Sequence, residues 1–140
     1  MPNNLIISLF NLYVPIYYVE KTFCWQSLLD FLESHSFSNI VVVGDLNIIF
    51  KPKEKCGGNR DKDPFLELVD FLIQSCDLSD IKPKKGCFTW TKNRMGMARI
   101  SARLDHLLAQ SKLLDDFVLT STIFPKVTFD HHPIGLCLEK

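Results

Sequence analysis

Residues 39–47 read NIVVVGDLN, and this stretch decides how the chain is understood. Ile40 to Val43 form an unbroken branched apolar run, with no polar residue alternating. That is the pattern of a short strand covered on both faces. Gly44 permits a tight backbone, and Asp45 and Asn47 emerge as the strand ends. In extended chain, residues i and i+2 project to the same side, so both side chains are expected to reach one point in space. An acid can orient or deprotonate water, and an amide can donate to an anionic oxygen. The same residues also suit an Asx-turn that closes a strand, and both readings stand.

Working outward, residues 21–35 carry Trp25, Leu28, Leu29 and Leu32 at i, i+3, i+4 and i+7. This apolar stripe predicts an amphipathic helix. Residues 5–14 (LIISLFNLYV) read as a strand ended by Pro15, which cannot donate to a ladder. A polar loop spans 51–63 and contains Gly57 and Gly58. A second amphipathic helix follows, with Phe65, Leu68, Val69 and Leu72 on one face. Short strands are expected at Cys87–Thr91, Arg103–Ala109, Phe117–Phe124 and Ile134–Leu138. Helices alternate with strands early and strands dominate later, so the predicted class is α/β (α+β), with layered sheets and flanking helices.

Composition agrees. The chain has 140 residues, 46% hydrophobic and 11% aromatic, enough to build a packed core. Sixteen basic residues balance sixteen acidic ones. Disorder driven by high net charge is excluded, as is coating of nucleic acid by bulk charge. No run reaches the length of a membrane helix. The apolar start lacks a basic n-region, so no signal peptide is expected. The five cysteines are scattered without a CxxC pair. Reduced thiols and an intracellular setting are the default, and a nuclear location is compatible with this.

Two further clusters carry chemistry. Asp130-His131-His132-Pro133 sets an acid beside two histidines, either as a metal or acid–base group or as a solvated turn. Adjacent histidines in a strand face opposite ways, so one of them is expected to point into a site. In Arg103-Leu104-Asp105-His106, Asp105 interrupts an apolar pattern where a charge needs a partner. A histidine would serve, because a carboxylate fixes the tautomer of an imidazole. Pairing with Arg103 or a lysine is the alternative.

Taken in order, GDLN (44–47), a helix, Phe88-Thr89-Trp90, RLDHLL (103–108) and DHHPI (130–134) resemble the endonuclease/exonuclease/phosphatase superfamily. The variant is similar to the apurinic-type endonuclease domain of plant LINE (non-LTR) retrotransposons. The strand Asn11-Leu-Tyr13-Val-Pro15 fits the same pattern, so the resemblance covers nearly the whole chain. It implies a DNase I-like fold, a two-layer β-sandwich with flanking helices. It also implies metal-assisted hydrolysis of a phosphodiester in DNA, or alternatively RNA, with Mg2+ or Mn2+. By resemblance, Asp45 orients or activates the attacking water and Asn47 holds the phosphate. His131 stabilises the pentacovalent phosphate and Asp105 positions that histidine. Tyr13 touches the scissile phosphate, and Asp130 lies near the metal.

The chain departs from the family in ways that shape the expectation. The family begins with a further half domain bearing an asparagine and the principal metal-binding glutamate. Nothing before Tyr13 supplies that glutamate, and Glu20 comes too late. Ile16 stands where a polar residue is usual, and Phe129 where a small serine is usual. Residues 1–140 are therefore expected to form a single, incomplete domain, partial in the sandwich and missing its first strands. Magnesium binding is expected to be weakened, with little or no nuclease activity in the isolated chain. The apolar surface those strands would cover is expected to lie open.

Residues 82–103 hold seven basic residues and no acid. Among them Lys84, Lys85, Lys92, Arg94 and Arg99, with Trp90, are candidate nucleic-acid contacts, since cations neutralise phosphates and aromatics stack on bases. Lys51, Lys53 and Lys55, with the 57–62 loop, form a second basic cluster. A catalytically dead, retroelement-derived relic with weak nucleic-acid binding is one alternative function. A phosphatase of small phosphoesters or phosphoinositides is another.

Overall fold

The computed structural model describes residues 4–58, 62–92, 99–126 and 130–140. Arg94, Phe129 and the middle of the 57–62 loop lie outside these residues. The elements in order are β1 (Ser8–Tyr13), α1 (Tyr18–Ser34), β2 (Ile40–Asp45), a 3-10 turn (Pro52–Glu54), β3 (Lys55–Cys56), α2 (Leu66–Ser75) and β4 (Leu78–Asp80). They continue with β5 (Trp90–Lys92), β6 (Ile100–Ala102), β7 (Asp105–Gln110), α3 (Ser111–Asp116), β8 (Val118–Ile123) and β9 (Ile134–Glu139).

The apolar run of residues 40–43 becomes an inner strand of a four-stranded sheet ordered β1-β2-β7-β4. β1 runs parallel to β2, and β7 runs antiparallel to both β2 and β4. Alternation of side chains divides β2 between two cores. Val42 and Leu108 pack under the α1 stripe of Trp25, Leu28, Leu29 and Leu32, with Val69 and Leu72 of α2. Val41, Leu107 and Ala109 face the other way, against Leu113 of α3 and Leu119, Leu136 and Leu138 of the β8–β9 hairpin. The run lacks polar alternation because both faces are covered, as the sequence predicts.

A third small sheet, β3-β6-β5, lies beside these. An isolated bridge from Trp90 to His131 ties it to the segment before β9, and Pro83 bridges to Ser121 on β8. Helices α1 and α2 on one face of the main sheet, with α3 and the β8–β9 hairpin on the other, give the expected layering. Large apolar side chains are exposed on β1 and α1: Leu9 is 63% exposed, and Val19 and Phe23 are 77% and 73% exposed. Among the described residues, no helix is long and apolar enough to cross a membrane.

Candidate active site

Register places the site. Tyr13 on β1 pairs with Asp45 on β2, and Asp45 pairs with Asp105 on β7. Residues paired across neighbouring strands share a face, so the three side chains form one row at one end of the sheet. His131 reaches this row from the segment before β9. Its Nδ1 lies 2.8 Å from Asp105 Oδ2, and its Nε2 lies 3.5 Å from Asp45 Oδ2. With Asp105 as acceptor, Nδ1 carries the proton and Nε2 is the atom turned toward Asp45. His132 faces elsewhere, its Nδ1 2.9 Å from the Phe124 carbonyl. One histidine of the pair thus enters the site, as alternation requires.

Asp45 is held from both sides of its strand. Its Oδ1 accepts the Asn47 backbone N–H at 3.1 Å, which is the Asx-turn considered from sequence. The turn and the site coexist in the same five residues. Asn47 adopts φ of 47°, so the extended spacing that would align its side chain with Asp45 does not hold. Its amide Nδ2 donates to the Val14 carbonyl. Burial, and then the nearby charge of Asp105, push the Asp45 carboxyl above the usual carboxylate range. The Asn47 N–H and His131 oppose that shift.

Several supports were not singled out from sequence. Lys21 is buried, and its Nζ donates to the Asn47 carbonyl at 2.7 Å and to Asp63 at 3.2 Å. Thr89 is buried, and its Oγ1 accepts the backbone N–H groups of Leu104 at 3.1 Å and Asp105 at 3.0 Å. The middle residue of Phe88-Thr89-Trp90 therefore fixes the Asp105 backbone. Thr89→Val keeps the shape but strands two inward-facing N–H groups. A loss of about 2 kcal/mol in urea denaturation is expected, and Thr89→Ser should retain most of the stability.

Arg103 is not the partner of Asp105. Its guanidinium lies 2.6 Å from Glu54 and makes two 2.8 Å bonds to Asp80, all in a largely buried cluster. Asp80 is held down to about 2 despite burial, by the His106 ring, whose Nδ1 stands 3.8 Å away, and by the hydrogen bonds and charge of Arg103. Glu54, Asp80 and His106 could geometrically hold a metal, but the guanidinium already supplies their cation.

Asp45, Asp105 and His131 offer ligand atoms within 4.8 Å of one another. Two carboxylates and an imidazole are donors a divalent ion accepts, so the residues fit such an ion. Asp130 is exposed, gives its carbonyl to the Thr91 N–H at 3.2 Å, and is not a member of this group. Lys84, Lys85 and Arg99 are exposed, and Trp90 and Lys92 are half-buried in or beside β5.

No family model and no curated protein matches this chain. Solved structures do, and the fold they share with it is DNase I-like. The 3'-5' exonuclease NExo from Neisseria meningitidis superposes with a TM-score of 0.73 at 16% identity, over 94% of this chain and 61% of that one. The APE2 catalytic domain from Xenopus laevis gives 0.73 at 19%, over 94% and 49%. The endonuclease domain of TRAS1, a telomere-specific non-LTR retrotransposon, gives 0.73 at 14%, over 100% and 61%. This chain therefore spans about half to three-fifths of the length of these structures. The predicted fold class holds.

Proposed function

We propose that Asp45, Asp105 and His131 form the histidine side of a metal-assisted phosphodiesterase site acting on DNA, with RNA as the alternative strand. The observation that carries this is His131 set between two carboxylates, one holding Nδ1 and the other facing Nε2. Asp45, with a raised affinity for protons, takes a proton from water as the oxygen attacks phosphorus. The bond from phosphorus to the leaving oxygen breaks, its electron pair stays on that oxygen, and a solvent water protonates it. In its imidazolium form His131 carries a second proton on Nε2, besides the Nδ1 proton that Asp105 holds, and this second proton meets the charge that builds on a phosphoryl oxygen. Tyr13, 73% exposed beside Asp45, stands where it can touch the substrate phosphate. The Asn47 amide would do so on leaving the Val14 carbonyl. Magnesium or manganese held by Asp45 and Asp105, with Asp130 nearby, would neutralise charge on the phosphoryl oxygens. The order of the motifs GDLN, Phe88-Thr89-Trp90, RLDHLL and DHHPI is what supports an origin in a LINE-type element.

The isolated chain is expected to be a slow catalyst, so the test uses a long incubation. Supercoiled and abasic DNA, and the activated diester bis(p-nitrophenyl) phosphate, are incubated with Mg2+ or Mn2+. The activated diester needs no help for its leaving group. Low turnover that falls about 100-fold or more in Asp45→Ala and His131→Ala is the expected result. Turnover that survives both substitutions would overturn the assignment. Complete inertness toward every substrate would favour the retroelement-derived relic, a reading supported by the open apolar surface of β1 and α1. Hydrolysis of phosphomonoesters or phosphoinositides in place of diesters would favour the phosphatase reading.

A further inference from the structure

A cleft of about 530 Å3 opens where the start of α1, the segment after β2 and the segment before α2 meet. None of Asp45, Asp105 and His131 lines it. Its volume lies in the range of small-ligand sites. Its apolar wall is aromatic. Tyr18 is 68% exposed and lies 5.0 Å from the Phe65 ring, while half-buried Phe50 completes the wall. Its rim carries Lys51, Lys55 and Lys62. The one acid that lines it, Asp63, is already engaged by Lys21.

Lys51 and Lys62 are exposed at this rim beside Lys55, so an anion placed there meets more than one cation. Exposed Tyr18 and half-buried Phe50 beside a lysine rim match a ligand that is aromatic at one end and anionic at the other.

We infer that this cleft holds a single nucleotide, its base against Tyr18 and Phe50 and its phosphate on the rim of Lys51 and Lys62. Base–aromatic stacking tolerates any base, and lysines read phosphate by charge alone, so the site does not select sequence. The Asn47 carbonyl sits on Lys21 at the base of the same cleft. An occupant is therefore next to the segment that shapes Asp45.

The test is read in EDTA, so it is independent of hydrolysis, and failure of the phosphodiesterase reading leaves it intact. Fluorescence anisotropy of the full chain uses labelled dT10, a base-free oligomer of equal length and charge, and competition by free dTMP and by inorganic phosphate. Tyr18→Ala removes an exposed ring and should weaken dT10 about tenfold, while leaving the weaker base-free oligomer unchanged. Lys51→Gln should lower the salt slope by about 1. Displacement by dTMP but not by phosphate would identify a free nucleotide as a sufficient ligand. Tight dT10 binding that dTMP does not displace would identify a nucleotide within a strand. Either result supports the cleft. Equal affinity for the base-free oligomer, or dT10 affinity unmoved by Tyr18→Ala, would overturn the inference, as would absence of dT10 binding at low salt.

Discussion

Gly44→Ala should remove the stability of this chain almost entirely. A Cβ built at Gly44 would lie 2.0 Å from the Leu12 backbone oxygen, far inside any contact real atoms show. Gly44 also holds φ of 135°, a conformation that side chains resist. Neither strain has an easy outlet. Gly44 is paired with Leu12 on one side and His106 on the other, so relief means breaking ladders of the central sheet. The expected loss is about 4 kcal/mol or more, at the upper end of single-substitution effects. Gly135→Ala is the informative control. There the new Cβ would meet only the far edge of the Phe124 ring, at 2.6 Å, and that ring can turn. Urea denaturation followed by circular dichroism should rank Gly44→Ala well below Gly135→Ala. Equal losses would show that β1 and β2 can separate without cost.

Arg103→Leu should be nearly as damaging. The leucine leaves Glu54, 3% exposed, and Asp80 without the cation that pairs them. Removing one partner from a buried ion cluster costs about 3–5 kcal/mol. The pH dependence identifies the cause. In the wild type, Asp80 titrates at about 2, below its ordinary value of 3.8. A lowered carboxyl contributes stability that is fully present above the unfolded value and is lost as pH falls through the folded one. Asp80 thus accounts for about 2 kcal/mol that disappears between about pH 4 and pH 2. In Arg103→Leu the stranded carboxylates gain by protonation, so acid weakens the variant less. The gap between the two proteins should be widest near pH 7 and should narrow at pH 3. A gap independent of pH would mean that Arg103 acts by packing alone. Glu54→Gln added to Arg103→Leu should recover part of the loss.

Much of this architecture is legible in the chain because burial leaves a periodic trace. The α1 stripe, the unbroken run of β2 and the apolar alternation near β8 and β9 each record which face is covered. The short elements leave no such trace. β4 and β6 have three residues each, and β3 has two. They exist because Thr89, Arg103 and neighbouring ladders hold them, not because of their own pattern. The cluster of Asp45, Asp105 and His131 is legible because motif order sets these residues apart. Lys21 and Thr89 are not, because an isolated lysine on a helix reads as solvated and an isolated threonine as ordinary strand. Only the fold shows that both are buried. Arg103 was noticed, but as a neighbour of Asp105. Arg103 lies in the two-residue link between β6 and β7, outside either strand, so strand spacing does not carry its side chain toward Asp105, and it reaches Glu54 and Asp80 instead.

The pairing of Asp45 with Asp105 also has a bearing on quality control. Side chains alternate along a strand, so a slip of one residue between β2 and β7 would send one carboxylate to each face of the sheet. His131 could then touch only one of them. Misaligned molecules would still be compact and rich in strand, but they would lack the Asp105–His131–Asp45 bridge. The proton on His131 Nδ1, sheltered by Asp105 in the aligned molecule alone, would then act as a fiducial mark. Its nuclear magnetic resonance signal would count the fraction of chains whose central sheet closed in the correct frame.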